Sequence, residues 1–350
     1  MTTAIFLGAG ASAAEGAPIQ RDLFKVYFRS QNAKKFAQIF DELSKFFLAI
    51  FNIDLRKPIE KIAFPTFEEA LGILDLAEMR RESFRGFDFG GGAAQANQTQ
   101  LLRLYLILVM SRAIADGLNT SANKGSHLGL VNNLRKQNLI NSTVFVSTNY
   151  DLVIDDALDW QINYGVDFAG PKKFGGSGLV QGAAALYKLH GSLNWLYCPV
   201  CNNLNSYESK AVLSLMTENK PINRCEICKS IMSPVIVPPT FYKDMSRVFL
   251  SSIWNKTENA LRDVDQIIFC GYSLPDADMH IKYLLKRMQT NRDAKHRVRL
   301  TIFNHHKGKR KAEADSEEER YIRFFGKDNL NYTRKSFQEF AMDPKKYYAK

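Results

Sequence analysis

The sequence predicts an α/β fold: an open parallel sheet interrupted by a long helical insertion and by a small cysteine-bearing ribbon. Three observations carry this. Short apolar runs recur along the chain with helical patterns between several of them, as strands and their crossover helices do. Most of these runs end on a polar or glycine-bearing motif, and open α/β sheets bind ligands beyond the carboxyl ends of their strands. Residues 33–139 instead carry apolar side chains at helical spacing, and four of the five cysteines fall into two C-x-x-C pairs.

The first strand is Thr3–Leu7, an apolar run without polar alternation, which suits a parallel strand covered on both faces. It stops at Gly8-Ala9-Gly10-Ala11-Ser12. A helix follows Pro18, with Leu23, Phe24, Tyr27 and Phe28 on its inner face. In the insertion, Phe36, Ile39, Phe40, Leu43, Phe46 and Phe47 recur at helical steps. So do Leu71, Leu74 and Met79, and later Leu102, Tyr105, Leu106, Val109, Ile114 and Leu118. Pro65-Thr66-Phe67-Glu68-Glu69 reads as a helix start, with Thr66 as the cap and Glu69 completing a capping box. Gly90-Gly91-Gly92 forms a break. The insertion therefore reads as four or five helices.

Strand character returns at Thr143–Ser147, Leu186–Leu189, Val235–Val237, Gln266–Cys270 and Val298–Phe303, with helical patterns over 246–263 and 278–290. The charged segment His305–Arg320 is an exposed loop or the start of a helix. Tyr321, Ile322, Phe324 and Phe325 then return the chain to the core. Residues 1–32, 140–196 and 233–350 are thus assigned to the sheet domain, 33–139 to the insertion and 197–232 to the ribbon. There is no internal repeat.

A hydrophobic content of 45% excludes disorder throughout. The longest apolar runs, such as Leu104–Met110, fall far short of the roughly 20 residues that span a bilayer. The first residues carry neither a basic segment nor a small-residue cleavage site, so a cytoplasmic protein without membrane association is expected. The 47 Lys and Arg exceed the 36 Asp and Glu, a formal charge of +11. Part of that excess lies in Lys307–Lys311 and at Lys345, Lys346 and Lys350. A solvated surface with a basic tail is the simpler reading, and direct nucleic-acid binding is left open.

Several motifs carry chemistry. Glycines after a first strand let a backbone approach a pyrophosphate, which makes Gly8-Ala9-Gly10 a phosphate-loop candidate, the alternative being a tight strand-to-helix turn. Cys198-Pro-Val-Cys201 and Cys225-Glu-Ile-Cys228, 23 residues apart, supply four thiolates for a closed tetrahedral zinc site of structural type. Cys270 closes a strand and reads as core. His190 stands at a strand end with the other polar motifs, which fits a general base. Asp276, Asp278 and His280 read as a capped helix start rather than a metal site. The whole is a Rossmann-like parallel sheet with a large helical insertion and a small zinc ribbon.

This ordered set resembles the sirtuin family. Gly8-Ala-Gly-Ala-Ser12 resembles its GAGxS loop, Gly16-Ala17-Pro18 its G-I-P turn, and Thr148-Asn149-Tyr150-Asp151 its Q-N-x-D strand end. His190-Gly191 resembles its catalytic H-G pair, the two C-x-x-C pairs follow in order, and Gly271-Tyr272-Ser273 resembles its G-T-S turn. Asn304 resembles the asparagine that closes a later strand near the adenosine. The F-R pair of the family's deacylases is absent; Arg21 lies nearby. Their V-F-F-G-E strand, which clamps an acyl-lysine peptide, is here the proline-bearing Pro234–Thr240. Proline has no N–H for ladder pairing. The helical insertion and the phrase Gly271-Tyr-Ser-Leu-Pro-Asp-Ala-Asp278 instead look like the sirtuin-like effectors of bacterial antiphage defence, which hydrolyse NAD.

The resemblance implies an NAD glycohydrolase that takes NAD as substrate and retains a structural Zn2+. In that picture Asn149, His190 and Asp151 are the catalytic residues, Asp151 serving the nicotinamide end or capping the next helix. Gly8, Ala9, Gly10 and Ser12 hold the pyrophosphate, and Gly271, Ser273 and Asn304 the adenosine half. It also implies control by homo-oligomerisation or by an operon-encoded partner, a HerA-type ATPase or a short Argonaute-type protein. An NAD-dependent protein deacylase and a non-catalytic NAD or ADP-ribose sensor are the alternatives.

Overall fold

The computed structural model describes residues 1–30, 36–85, 98–168, 182–207, 224–237, 248–292, 297–306 and 308–348. The Gly90–Gly92 break, Pro238–Thr240, Lys307 and Lys350 lie outside the described residues.

The chain forms two compact units. The first comprises Met1–Glu15, Ala122–Val237 and Lys243–Lys350 and holds a seven-stranded sheet. Its strands are β1 (Thr3–Leu7), β2 (Thr143–Ser147), β3 (Ile162–Asn163), β4 (Ala184–Lys188), β8 (Gln266–Cys270), β9 (Arg299–Phe303) and β10 (Leu330–Tyr332). They lie in the order β10-β9-β8-β1-β2-β4-β3, and every neighbouring pair is parallel. The Rossmann-like parallel sheet expected from the apolar runs is the one present. β1 and β8 are buried at every position, as strands covered on both faces must be. Phe6, Phe145, Ile268 and Ile302 lie in the core of this unit.

Short helices connect the strands: α1 (Ala9–Ala13), α6 (Ser126–Lys136), α7 (Val153–Ala157), α8 (Val248–Asp263), α9 (Met279–Thr290), α10 (Lys311–Phe325) and α11 (Phe337–Met342). The charged run after His305 contains α10, whose Tyr321 and Phe325 are buried. The start of α6 is fixed by Glu15, which accepts from the Gly125 and His127 amides and faces His127 Nδ1 at 2.6 Å. Burial pushes the Glu15 carboxyl up, but its bonds to His127 and Gly125 outweigh that and hold it below the usual carboxylate range.

A second, antiparallel sheet of three strands sits in the same unit: β5 (Gly191–Tyr197), β6 (Leu204–Ser206) and β7 (Ser233–Ile236), in the order β6-β5-β7. β5 was not foreseen, because Ser192 and Asn194 interrupt its apolar run. Both are buried in the structure and hydrogen-bonded to each other at 2.6 Å.

The second unit is built on Gly16–Ser121. Among its described residues it holds α2 (Leu23–Arg29), α3 (Ala37–Phe51), α4 (Phe67–Arg80) and α5 (Gln98–Thr120). The expected inner faces are buried: Leu23, Phe24, Tyr27 and Phe28 on α2, and Ile39, Leu43, Phe46 and Phe47 on α3. Phenylalanines dominate this core, with Phe24 and Phe47 meeting edge-on at 5.0 Å and Phe28 stacking on Phe64 at 5.7 Å. The capping box of α4 forms as read, Glu69 N donating to Thr66 Oγ1 at 3.1 Å and Thr66 N to Glu69 Oε2 at 3.4 Å. No described helix is long and apolar enough to cross a membrane.

Candidate active site

The chain runs outward from β1 through β2 to β4 and β3, then returns to β8 on the other side of β1 and goes on to β9 and β10. Strand order therefore reverses between β1 and β8, and the ends of those strands flank the crevice where doubly wound sheets take ligands.

At this reversal the loops after β1 and β8 pack backbone against backbone. Gly8 N–H donates to Cys270 O at 3.0 Å, and Gly10 N–H to Gly271 O at 2.8 Å. A Cβ on Gly8 would lie 2.6 Å from Gly271 O, and one on Gly271 would lie 2.2 Å from Ala11 N. Gly271 also has φ +63°, a conformation residues with side chains rarely adopt. These glycines are demanded by loop-on-loop packing, and the amides of Gly8 and Gly10 are engaged within the protein. Ala9 stands exposed between them. The turn that follows is tied from two further elements. Asn304 Nδ2 and the Tyr321 hydroxyl both donate to Tyr272 O at 2.6 Å, and the Arg320 guanidinium donates to Ser273 O at 3.2 Å.

The ends of β2 and β4 carry the side chains that the sequence singles out as candidate catalytic residues. Asn149 is buried, and its Nδ2 donates to Gly8 O and to Ser12 Oγ, each at 2.9 Å. With both amide hydrogens engaged, the carbonyl Oδ1 is what this side chain can offer a ligand. Asp151 Oδ1 accepts from Val153 N at 3.2 Å, in the first turn of α7. His190 is buried and stands between Tyr150, its ring centroid 6.1 Å away, and Asp278, whose Oδ1 lies 3.5 Å from His190 Nε2. Gly191 has φ +84°, and a Cβ there would lie 2.1 Å from Val235 O. The glycine after His190 is thus required by the approach of β7.

Sequence reading missed two groups. Lys188, at the end of β4, is fully buried; its Nζ donates to Asp151 O at 2.6 Å and to Asp155 Oδ2 at 3.0 Å. Tyr164 donates to the other Asp155 oxygen. Burial, followed by the Asp155 charge, pushes the Tyr164 hydroxyl well up, so it stays protonated as the donor. A lysine inside the apolar run Leu186-Tyr187-Lys188-Leu189 was the available signal, since a buried cation needs an anion. The second is Asp278, whose place before a helix reads in sequence as a cap. It occupies the N-cap position of α9, but its side chain makes no capping bond. Its Oδ2 accepts from the Tyr272 hydroxyl at 3.0 Å.

The four ribbon cysteines converge. Cys198 Sγ lies 3.4 Å from Cys228 Sγ, Cys201 Sγ lies 3.4 Å from Cys225 Sγ, and all four sulfurs fall within 4.8 Å of one another. Zn–S bonds of about 2.3 Å place tetrahedral sulfurs about 3.8 Å apart, so the donor set and its size fit Zn2+. Each pair sits on the same backbone turn, closed by Asn202 N to Cys198 O at 3.0 Å and by Lys229 N to Cys225 O at 2.9 Å. Hydrogen bonds from Ser230 bring the Cys228 thiol down to about 6, whereas burial and the neighbouring thiols push Cys201 up to about 11. With four thiolates the shell is closed, so a metal held here would brace the ribbon and have no open position for chemistry.

A family model described as a SIR2-like domain matches residues 143–325. Among solved structures the chain is similar to Sir2 with a p53 peptide and NAD+, at 15% identity over 99% of this chain and 94% of that one, with a TM-score of 0.45. It is also similar to Sir2Tm bound to a propionylated peptide, at 14% identity over 99% and 92%, with a TM-score of 0.42. No curated protein matches the chain.

Proposed function

The chain belongs to the SIR2-like family, whose model covers a little over half of it, and from that premise we propose that it is an NAD hydrolase releasing nicotinamide and ADP-ribose. One observation carries the choice of water over an acyl-lysine peptide as acceptor. Val237, at the end of the stretch that would clamp a peptide, has both main-chain groups engaged. Its N–H donates to His190 O at 2.9 Å, and its carbonyl accepts from the Tyr150 hydroxyl at 3.1 Å. Pro234, within β7, has no N–H. Among the described residues of this stretch, the main-chain groups of Val237 and Pro234 that strand addition by a substrate would use are therefore occupied or missing.

In this reading NAD lies across the strand ends. The loop Gly8–Ser12, turned by Gly8 and Gly10, receives the pyrophosphate through the exposed main chain at Ala9 and through Ser12, and Gly271, Ser273 and Asn304 line the adenosine half. The bond from ribose C1′ to the nicotinamide nitrogen breaks, its electron pair leaves with nicotinamide, and C1′ becomes oxocarbenium-like. Preorganised dipoles stabilise that charge. Asn149 Oδ1 orients the attacking water, whose oxygen bonds to C1′. His190 takes the water proton and passes it to solvent, so one proton is released per NAD. Asp151 acts by fixing the loop that carries Asn149.

We further propose that this activity is the NAD-depleting arm of a bacterial antiphage system acting by abortive infection. Control would come from self-association or from a partner encoded beside it, such as a HerA-type ATPase or a short Argonaute-type protein. The test is incubation of the purified chain with NAD, alone and with its operon neighbour, following nicotinamide and ADP-ribose. Asn149→Ala and His190→Ala are expected to lower turnover by about 10²-fold or more. Full turnover in either variant overturns the site. Formation of O-acetyl-ADP-ribose from an acetylated peptide overturns the hydrolase reading. Mass photometry of the same samples reads the assembly; a strictly monomeric, constitutively active enzyme contradicts the proposed control.

A further inference from the structure

His190 and Asp278 come from opposite halves of the sheet, yet their side chains are 3% and 4% exposed and face each other. Aspartate is a favoured helix N-cap because its carboxylate can accept a first-turn amide. Asp278 holds the N-cap position of α9 and forgoes that bond. Its two oxygens are directed elsewhere, Oδ2 to the Tyr272 hydroxyl at 3.0 Å and Oδ1 toward His190 Nε2 at 3.5 Å. Tyr272 is itself anchored, since its carbonyl accepts from Asn304 and Tyr321. An acid is thus clamped on one side and presented to a buried imidazole on the other. Of the other acids in these loops, Asp151 is turned to the Val153 amide, Asp276 pairs with Lys282 and Asp155 with Lys188.

We propose that Asp278, locked by Tyr272, is the positioning residue for His190. The idea rests on the reading of His190 as the general base. A carboxylate at Nε2 selects the tautomer with its N–H on Nε2, which puts the basic lone pair on Nδ1. It also stabilises the imidazolium formed when the proton is taken, as the acid of a catalytic triad does. A shift of about half an ångström turns the 3.5 Å approach into a hydrogen bond, and such contacts tighten in the substrate complex. Among the described residues, the ring is faced by Asp278, from the turn before α9, and by the Tyr150 ring, from the loop after β2, besides its other contacts. Tyr272 adds no charge: burial, then the Asp278 charge, pushes its hydroxyl well up. A carboxylate beside an imidazole favours its charged form. The sign follows: removing the Asp278 charge lowers the His190 pKa, and the acid limb of the rate profile moves to lower pH.

The experiment compares wild type, Asp278→Asn, Asp278→Glu and Tyr272→Phe in two measurements on the full chain. The first is the pH–rate profile of NAD hydrolysis. Asp278→Asn is expected to lower kcat by about 10²-fold with KM little changed, and to shift the acid limb down. Asp278→Glu recovers part of the loss, and Tyr272→Phe gives a smaller loss with the limb in place. The second is a titration of the 15N-labelled imidazoles by NMR, which needs no turnover. It is expected to show His190 as the Nε2–H tautomer, with a midpoint that falls in Asp278→Asn. Unchanged kcat and acid limb in Asp278→Asn, or an unchanged tautomer and midpoint, overturns the proposal. Should wild type hydrolyse no NAD in any state, the functional reading falls, and the NMR titration still decides the pairing.

Discussion

The two ends of the crevice are held by different means. Where strand order reverses, the loops after β1 and β8 are joined main chain to main chain, through Gly8, Gly10 and Gly271, with no room for a Cβ. At the ends of β2 and β4 the loops are joined by side chains: Asn149 to Gly8 and Ser12, Lys188 to Asp151 and Asp155, and His190 beside Asp278. The first end is a rigid wall set by shape. The second is a set of dipoles and charges whose strength depends on protonation and burial. Such a division suits a site that must hold a large ligand in one place and stabilise a short-lived charge in another.

The largest effect is expected where shape alone decides. Gly271→Ala places a Cβ 2.2 Å from Ala11 N in a left-handed conformation. Both loops must then move, at a cost upwards of about 5 kcal/mol, the range reserved for severe strain. Urea denaturation, or loss of soluble protein, reads this. A folded Gly271→Ala protein with an unchanged midpoint would mean the wall is softer than its contacts indicate.

Breaking the buried ion pair comes next. Lys188→Met leaves the Asp155 carboxylate buried with Tyr164 as its hydrogen-bond donor, and Asp155→Asn leaves an uncompensated ammonium. Each single change is expected to cost about 3–5 kcal/mol, and the double change less than the sum, because the second removes a group the first has stranded. A double-mutant cycle in denaturant measures the coupling. Additive losses would show that Lys188 acts through its Asp151 carbonyl bond alone.

This difference between the ends also explains what was legible. The glycines of the wall were visible in residue type, as a phosphate loop or a tight turn, but the packing of two distant loops that demands them was not. The cysteine ribbon was readable because four soft donors at fixed spacing have few other uses. The parallel sheet followed from unbroken apolar runs such as Gln266–Cys270. The partners of the reactive end were not readable, because they join residues far apart in the chain. Lys188 finds Asp155 33 positions away, and His190 finds Asp278 across the sheet. Asp278 was misread for a specific reason: aspartate before a helix has two uses, capping and contact with another segment, and only tertiary structure decides between them. β5 was missed because buried polar residues satisfied by one another look in sequence like a loop.

The smallest expected effect tests whether the two ends act as one. Asn149 is the link: one amide hydrogen goes to Gly8 O, a main-chain atom of the wall, and the other to Ser12 Oγ, a side chain. Ser12→Ala removes only the second bond. The Asn149 amide keeps Gly8 O, so stability falls by about 1 kcal/mol, the usual worth of a neutral hydrogen bond. The Asn149 side chain then has one fixed hydrogen in place of two and can rotate about that bond, moving Oδ1 from the position the proposed mechanism requires. If orientation at the reactive end depends on the wall, kcat for NAD hydrolysis falls several-fold with a smaller change in KM. A raised KM with kcat unchanged would place Ser12 among the groups that bind NAD uniformly. No change in either would mean that Gly8 O alone fixes Asn149, and that the two ends, though adjacent, are set independently.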